Sequence, residues 1–245
     1  LSGKIKINWS LCMFIKFNIS MLSLSFLVIL LGCNKIENNV RNTNSNIKDS
    51  NDSQKQIIQK NDMNLNLLNE KRTKSGMIPF NINEKLMKSS INHNLYMDFI
   101  ENITHDEINN NVFFTGETSS DRAIYVGYEH YFTGENLSYG NISIDNSIQM
   151  LFTAIYHRFG FLSFDYDEIG YDKLNTFYTY NMGNSYIKES CTENSVIPGE
   201  GFITNLCQDT SIEIGYNKFK EKIENVQTQN NSIIVYPYPN QTDVK

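Results

Sequence analysis

Nothing in this 245-residue chain is long and apolar enough to read as a bilayer-spanning helix: the uncharged, mostly apolar stretch from Phe17 to Leu31 falls short of the roughly 20 residues such a helix needs. Positive charge is scarce as well. With 21 Lys and Arg against 27 Asp and Glu, the formal charge is -6, which excludes a nucleic-acid partner and disfavours docking on anionic headgroups. No internal repeat and no low-complexity run interrupts the C-terminal two thirds. Four histidines and four cysteines are few enough to weigh singly.

The short apolar run ends in Leu30-Leu31-Gly32-Cys33, the pattern of a cleaved lipoprotein signal. Gly32 is the small residue a signal peptidase needs before its cut. The Cys33 thiol then carries diacylglycerol with acyl chains such as palmitate, and two or more chains anchor stably at about 0.8 kcal/mol per buried methylene. Residues 1–32 are read as a signal peptide, with Met13 and Lys16 making a better start and basic region than anything upstream. From Cys33 to residue 76 the chain is rich in Asn, Lys, Ser and Asp and is expected to be a disordered tether. The expected address is the outer or cytoplasmic membrane, lipid-anchored and facing the extracellular space or periplasm.

Residues 77–245, rich in Tyr, Phe and Ile, are long enough for one domain with its own core. Leu86, Ser90, His93, Met97 and Ile100 form one helical stripe and Met87, Ile91, Leu95 and Phe99 a second, which predicts a helix buried on much of its circumference. A short helix is expected over 120–126, capped by Ser119 or Ser120 and stopped by Gly127. Ser143 opens another, with Ile144, Ile148, Leu151, Phe152 and Ile155 on its apolar face. Residues 176–180 and 232–236 read as strands. Helices first and strands later favour an α+β layering.

Among the histidines, His93 on its apolar stripe reads as a satisfied core residue and His130 as an exposed loop residue. His105 and His157 follow helices, where polar groups can converge. Arg122 and Arg158 read as structural, tying down carbonyls or an acid such as Asp121 or Asp165. Cys191 and Cys207 either close a loop, for a stabilisation of about 3 kcal/mol, or remain two buried thiols.

Thr104-His105-Asp106-Glu107, Phe114-Thr115-Gly116-Glu117, Asp121-Arg122-Ala123, Gly134-Glu135-Asn136, Tyr156-His157-Arg158 and Glu168-Ile169-Gly170-Tyr171 occur in that order. Together they resemble the CAP superfamily, the SCP-domain family of cysteine-rich secretory, antigen 5 and pathogenesis-related proteins, in its bacterial extracellular form. The resemblance covers roughly residues 82–183. It implies an α-β-α sandwich with a central antiparallel sheet, helices on both faces, and a cleft lined by two histidines and two acids, some members binding zinc or another divalent metal there. His105 and His157 match the histidines, the expected metal ligands, and Glu135 matches the first acid. The second acid has no counterpart: Thr153 stands near its place, and Met150 stands where many relatives carry Trp. Glu107 is the remaining candidate beside His105.

Two imidazoles make an open site at most, so Glu135 is better cast as the acceptor of a histidine N–H than as a ligand. The competing reading has Glu135 and Asn136 bonding backbone at a turn. The function expected is a non-enzymatic binding module, anchored to a membrane through Cys33, contacting a host or surface macromolecule or a small lipid ligand. The alternative is a metal-dependent hydrolase or protease with Glu135 or Glu107 as base, which the missing acid disfavours.

Overall fold

A computed structural model describes residues 65–242. Cys33, the signal and most of the tether lie outside the described residues. The fold begins with helix α1, Asn66–Lys74, inside the stretch that the sequence assigns to the tether. That expectation rested on its lack of apolar residues, and the helix is in fact held by a cation. The Arg72 guanidinium stacks 3.6 Å from the Phe80 ring centroid and donates to the carbonyls of Ile78 (2.9 Å), Phe161 (2.5 Å) and Tyr166 (3.2 Å). Leu65 and Leu68 complete the docking by entering the main core.

Strand β1, Asn81–Ile82, leads into helix α2, Glu84–Ile100, whose start is capped by Asn83 accepting from the amides of Lys85 and Leu86. Helix α3, Ser119–Tyr125, follows, and its cap is Thr118, one residue earlier than expected, in a reciprocal capping box with Asp121. Then come strand β2, Thr133–Tyr139, helix α4, Ile144–Thr153, helix α5, Ile155–Phe161, and strands β3, Glu168–Leu174, and β4, Phe177–Gly183. The sheet order is β1-β3-β4-β2. Most of it is antiparallel as expected, but β1 runs parallel to β3, so the sheet is mixed.

Strand β4 is buried along its whole length, and its two faces are chemically different. Tyr178, Tyr180 and Met182 pack with Ile148, Leu151, Phe152 and Phe161 of α4 and α5. Thr179 and Asn181 turn the other way and bond α2, Thr179 Oγ1 to Asn94 Oδ1 at 2.7 Å and Asn181 Nδ2 to Ser90 Oγ at 3.1 Å. Helices thus cover both faces of the sheet, which is the expected sandwich. Helix α2 lies so close to β3 that a Cβ on Gly170 would sit 1.9 Å from the Met87 amide nitrogen, which only glycine permits.

Four further expectations change. The second stripe of α2 is only partly covered: Leu86, Ser90, His93 and Met97 face inward and Met87 and Leu95 are half-buried, whereas Ile91 and Phe99 are exposed. Ile155 does not continue the face of α4, because Ala154 is extended (φ -91°, ψ 117°), the chain restarts as α5, and Ile155 is exposed. Residues 232–236 form no strand; Val235 N bonds Ser75 O at 3.1 Å, Ile234 and Tyr236 rest on the core, and the following Pro237 and Pro239 have no N–H for a ladder. His130 is fully buried rather than exposed, bridging to Cys207 and bonding Asn184 O through Nε2 at 2.9 Å.

Beyond β4 a 3-10 helix, Ile187–Thr192, the short strands β5, Phe202–Ile203, and β6, Ile214–Gly215, and helix α6, Tyr216–Gln227, build a second apolar cluster around Ile187, Leu206, Cys207, Ile212 and Ile214. A disulfide joins Cys191 to Cys207 across it.

Candidate functional site

Strand β2 ends the sheet order, so groups from both layers can meet around it. Its residues alternate: Leu137 packs with Tyr96 and Met97 of α2, whereas Ser138 Oγ meets Ser147 of α4 at 2.5 Å. Glu135 shares the first face and Asn136 the second. This alternation carries the site. Glu135 Oε1 accepts from His105 Nδ1 at 2.9 Å, and Asn136 Nδ2 donates to the His157 carbonyl at 2.8 Å. His105, from the loop after α2, and His157, on α5, are therefore held at the same strand from opposite layers. Gly-Glu-Asn is not a turn but extended strand, and the Asn136 side chain does bind backbone. A Cβ on Gly160 would approach Asn136 Oδ1 to 3.1 Å, which locates α5 tightly against β2.

Glu135 is buried, with its side chain 3% exposed, and both its oxygens are engaged: Oε2 accepts from Arg122 Nη2 at 2.7 Å. Burial alone would raise its pKa, but the bonds and charges of His105 and Arg122 outweigh burial and hold it below the usual carboxylate range. Arg122, expected to be structural, is so: Nη1 donates to the carbonyls of His105 (2.9 Å) and Glu117 (3.1 Å), and the acid it ties is Glu135. Arg158 donates to Phe152 O at 3.2 Å and lies over the Tyr236 ring.

The two imidazoles are electrically unequal. The hydrogen bond to Glu135 raises the pKa of His105, whose side chain is 57% exposed. His157, half-buried, is pushed down first by burial and then by the charge of His105, which places the two within electrostatic reach of each other. With Nδ1 donated to Glu135, neutral His105 presents Nε2 as its free lone pair. Among the described residues no group of three or more His, Cys, Asp or Glu is arranged to hold a metal ion, so a cation here would rest on the two imidazoles and leave most of its coordination open.

Glu107 is buried away from the cleft mouth, with its side chain 0% exposed. Its Oε1 pairs with His93 Nδ1 at 2.9 Å and its Oε2 accepts from Thr115 N at 2.7 Å. His93 is the satisfied core histidine expected, its Nε2 bonding Thr104 O at 2.8 Å. What sequence reasoning missed is that its partner is a carboxylate beside the site. The polar positions Ser89, Ser90 and Asn94 around it, on the same buried face, were the available signal.

A model of the cysteine-rich secretory protein family, CAP, matches residues 65–183. No curated protein matches the chain. Among solved structures, an extracellular protein containing an SCP domain from Bacillus anthracis is 22% identical, with a TM-score of 0.46 over 54% of this chain and 42% of that one. An outer surface protein of Borrelia burgdorferi is 21% identical, with a TM-score of 0.43, over 51% of this chain and 92% of that one. A cysteine-rich secretory protein of Staphylococcus aureus is 21% identical, with a TM-score of 0.39, over 49% and 37%. The chain spans less than half the length of the first and third of these. The family match takes in α1 and all four strands of the sheet, so residues 65–183 are similar to the CAP domain.

Proposed function

We propose that this protein is a surface-displayed binding module, moored by lipid at Cys33, whose CAP domain offers the His105 and His157 imidazoles to a divalent cation or a small ligand and performs no hydrolysis. The observation that carries the reading is the engagement and burial of Glu135: both carboxylate oxygens accept hydrogen bonds, from His105 and Arg122, and the side chain is almost wholly covered. Each oxygen keeps a second lone pair, but a general base needs one that water can reach, and the Glu135 side chain is only 3% exposed. Glu107, the alternative base, is sealed behind the cleft. An imidazole steered by a carboxylate through its other nitrogen is instead well suited to holding a ligand. Zinc, when bound, would supply Lewis acidity at this point, while the chain's own residues orient His105 and leave His157 neutral to donate. The Cys191–Cys207 bridge fits an oxidising compartment outside the cytoplasm.

Calorimetric zinc titration of the wild type against His105→Ala and His157→Ala tests the site: heat lost in both variants supports a shared site, and unchanged binding removes it. Turnover of any member of a peptide and ester panel by the metal-loaded protein, abolished by Glu135→Gln, would replace the binding module with the hydrolase. For the anchor, metabolic labelling with a palmitate analogue must mark the wild type and spare Cys33→Ser.

A further inference from the structure

Helix α2 bears none of His105, Glu135 and His157, yet it reaches their loop and strand through His93. Both nitrogens of this fully buried imidazole are bonded, Nε2 to Thr104 O at 2.8 Å and Nδ1 to Glu107 Oε1 at 2.9 Å. Thr104 and Glu107 flank His105, so one ring grips the loop on both sides of the residue that meets the ligand. Arg122 grips the same loop from α3 through the carbonyls of His105 and Glu117.

Charge makes the arrangement more than a brace. Arg122 stands between two buried carboxylates: Nη2 donates to Glu135 at 2.7 Å, while Nε has no acceptor and lies 3.7 Å from Glu107 Oε1. That oxygen is turned to His93. If His93 were gone, Glu107 would keep its bonds from Thr115 on Oε2, but its buried Oε1 would lose its imidazole with the unsatisfied Nε–H of Arg122 3.7 Å away. Drawing Arg122 toward Glu107 would strip Glu135 of its guanidinium and unfix the acceptor that orients His105.

We propose that His93 is a positioning residue of the cleft: by pairing with Glu107 it reserves Arg122 for Glu135, and so fixes the Nδ1–H form of His105 that leaves Nε2 open to a ligand. The proposal rests on reading the cleft as the binding site, and its test is separable from that reading. Long-range nitrogen-15 NMR of the imidazoles, followed upward in pH until the His105 signals stop moving, reads the tautomer of neutral His105 without any ligand. Wild type shows Nδ1–H, and His93→Gln shifts His105 toward the Nε2–H form that free imidazole prefers. Adding Glu107→Gln to His93→Gln removes the competing carboxylate and restores Nδ1–H. Zinc affinity follows the same pattern, falling about tenfold in His93→Gln and returning in the double variant. A folded His93→Gln that keeps the wild-type tautomer, or a double variant no closer to wild type than the single, overturns the proposal. A purely structural histidine gives no such rescue. If His93→Gln alone yields no folded protein, the double variant must fold and show Nδ1–H, and failure of either refutes it. Absence of zinc binding by a wild type with the expected tautomer would instead sink the cation reading and leave the positioning role standing.

Discussion

Replacing Arg122 by Met retains much of the side chain's volume and removes its charge and all its donors. The guanidinium is fully buried and contributes the 2.7 Å bond to Glu135 and bonds of 2.9 and 3.1 Å to the carbonyls of His105 and Glu117. Removing one partner of a buried ion pair costs about 3–5 kcal/mol, because the other charge stays desolvated. Each carbonyl left unpaired adds on the order of 1 kcal/mol, though the terms overlap and do not simply add. A loss of about 4 kcal/mol or more is expected, a large part of the roughly 5–15 kcal/mol that holds a domain together. Urea denaturation followed by circular dichroism measures it. Arg122→Met/Glu135→Gln neutralises the stranded carboxylate and should recover about 2 kcal/mol. Loss of less than about 1 kcal/mol in the single variant, or no recovery in the double, would refute the claim that Arg122 is the counter-ion on which the cleft is built.

Gly170→Ala places a methyl 1.9 Å from the Met87 amide nitrogen, which cannot yield without lifting α2 from the sheet; a loss at or above the usual 1–3 kcal/mol of overpacking is expected in the same denaturation assay. Reducing the Cys191–Cys207 bridge, which closes a separation of 16 residues, should lower stability by about 3 kcal/mol, read as a fall in urea midpoint that a Cys191→Ser/Cys207→Ser variant reproduces. His130 is buried and its pKa is lowered to about 4, chiefly by desolvation, so its neutral form supports the fold above its unfolded value of 6.5. That contribution, about 3 kcal/mol, is lost as pH falls from 6.5 through 4, and His130→Gln should flatten this part of the stability profile. His105 has the opposite sign: its pKa is raised by Glu135, so its stabilisation is complete below 6.5 and disappears as pH rises through the folded value, an increment that Glu135→Gln should remove.

The order of motifs picks out His105, Glu135 and His157, and each lies in a short run whose neighbours serve the geometry around β2: Glu135 bonds His105, Asn136 binds α5, and Gly170 admits α2. Helix α1 was not legible because its anchor is a single cation stacked on Phe80 and bonded to three carbonyls, an arrangement that leaves no period in the sequence. Residues 232–236 misled for the converse reason: their β-branched and aromatic composition is real, but it serves to cover the core rather than to join a ladder.

The outward turn of Ile91 and Phe99 on α2 has a physical cause that also explains the site. Since Gly170 brings the helix backbone directly onto β3, only small or slender side chains fit between them, and Ser89, Ser90 and Asn94 fill that face while Ile91 and Phe99 are turned outward. A seam this close must satisfy most of its polar groups internally, and, Asn181 Oδ1 apart, it does so through Ser90 to Gly170 O, Asn94 to Asp172 and Thr179, and Asn181 Nδ2 to both serines. His93 belongs to this polar seam and extends it to Glu107, where it joins Arg122 and Glu135. A helix seated on apolar residues would stand farther off and bring no imidazole to Glu107, so the glycine that looks like a packing detail is what allows a core helix to hold the loop carrying His105.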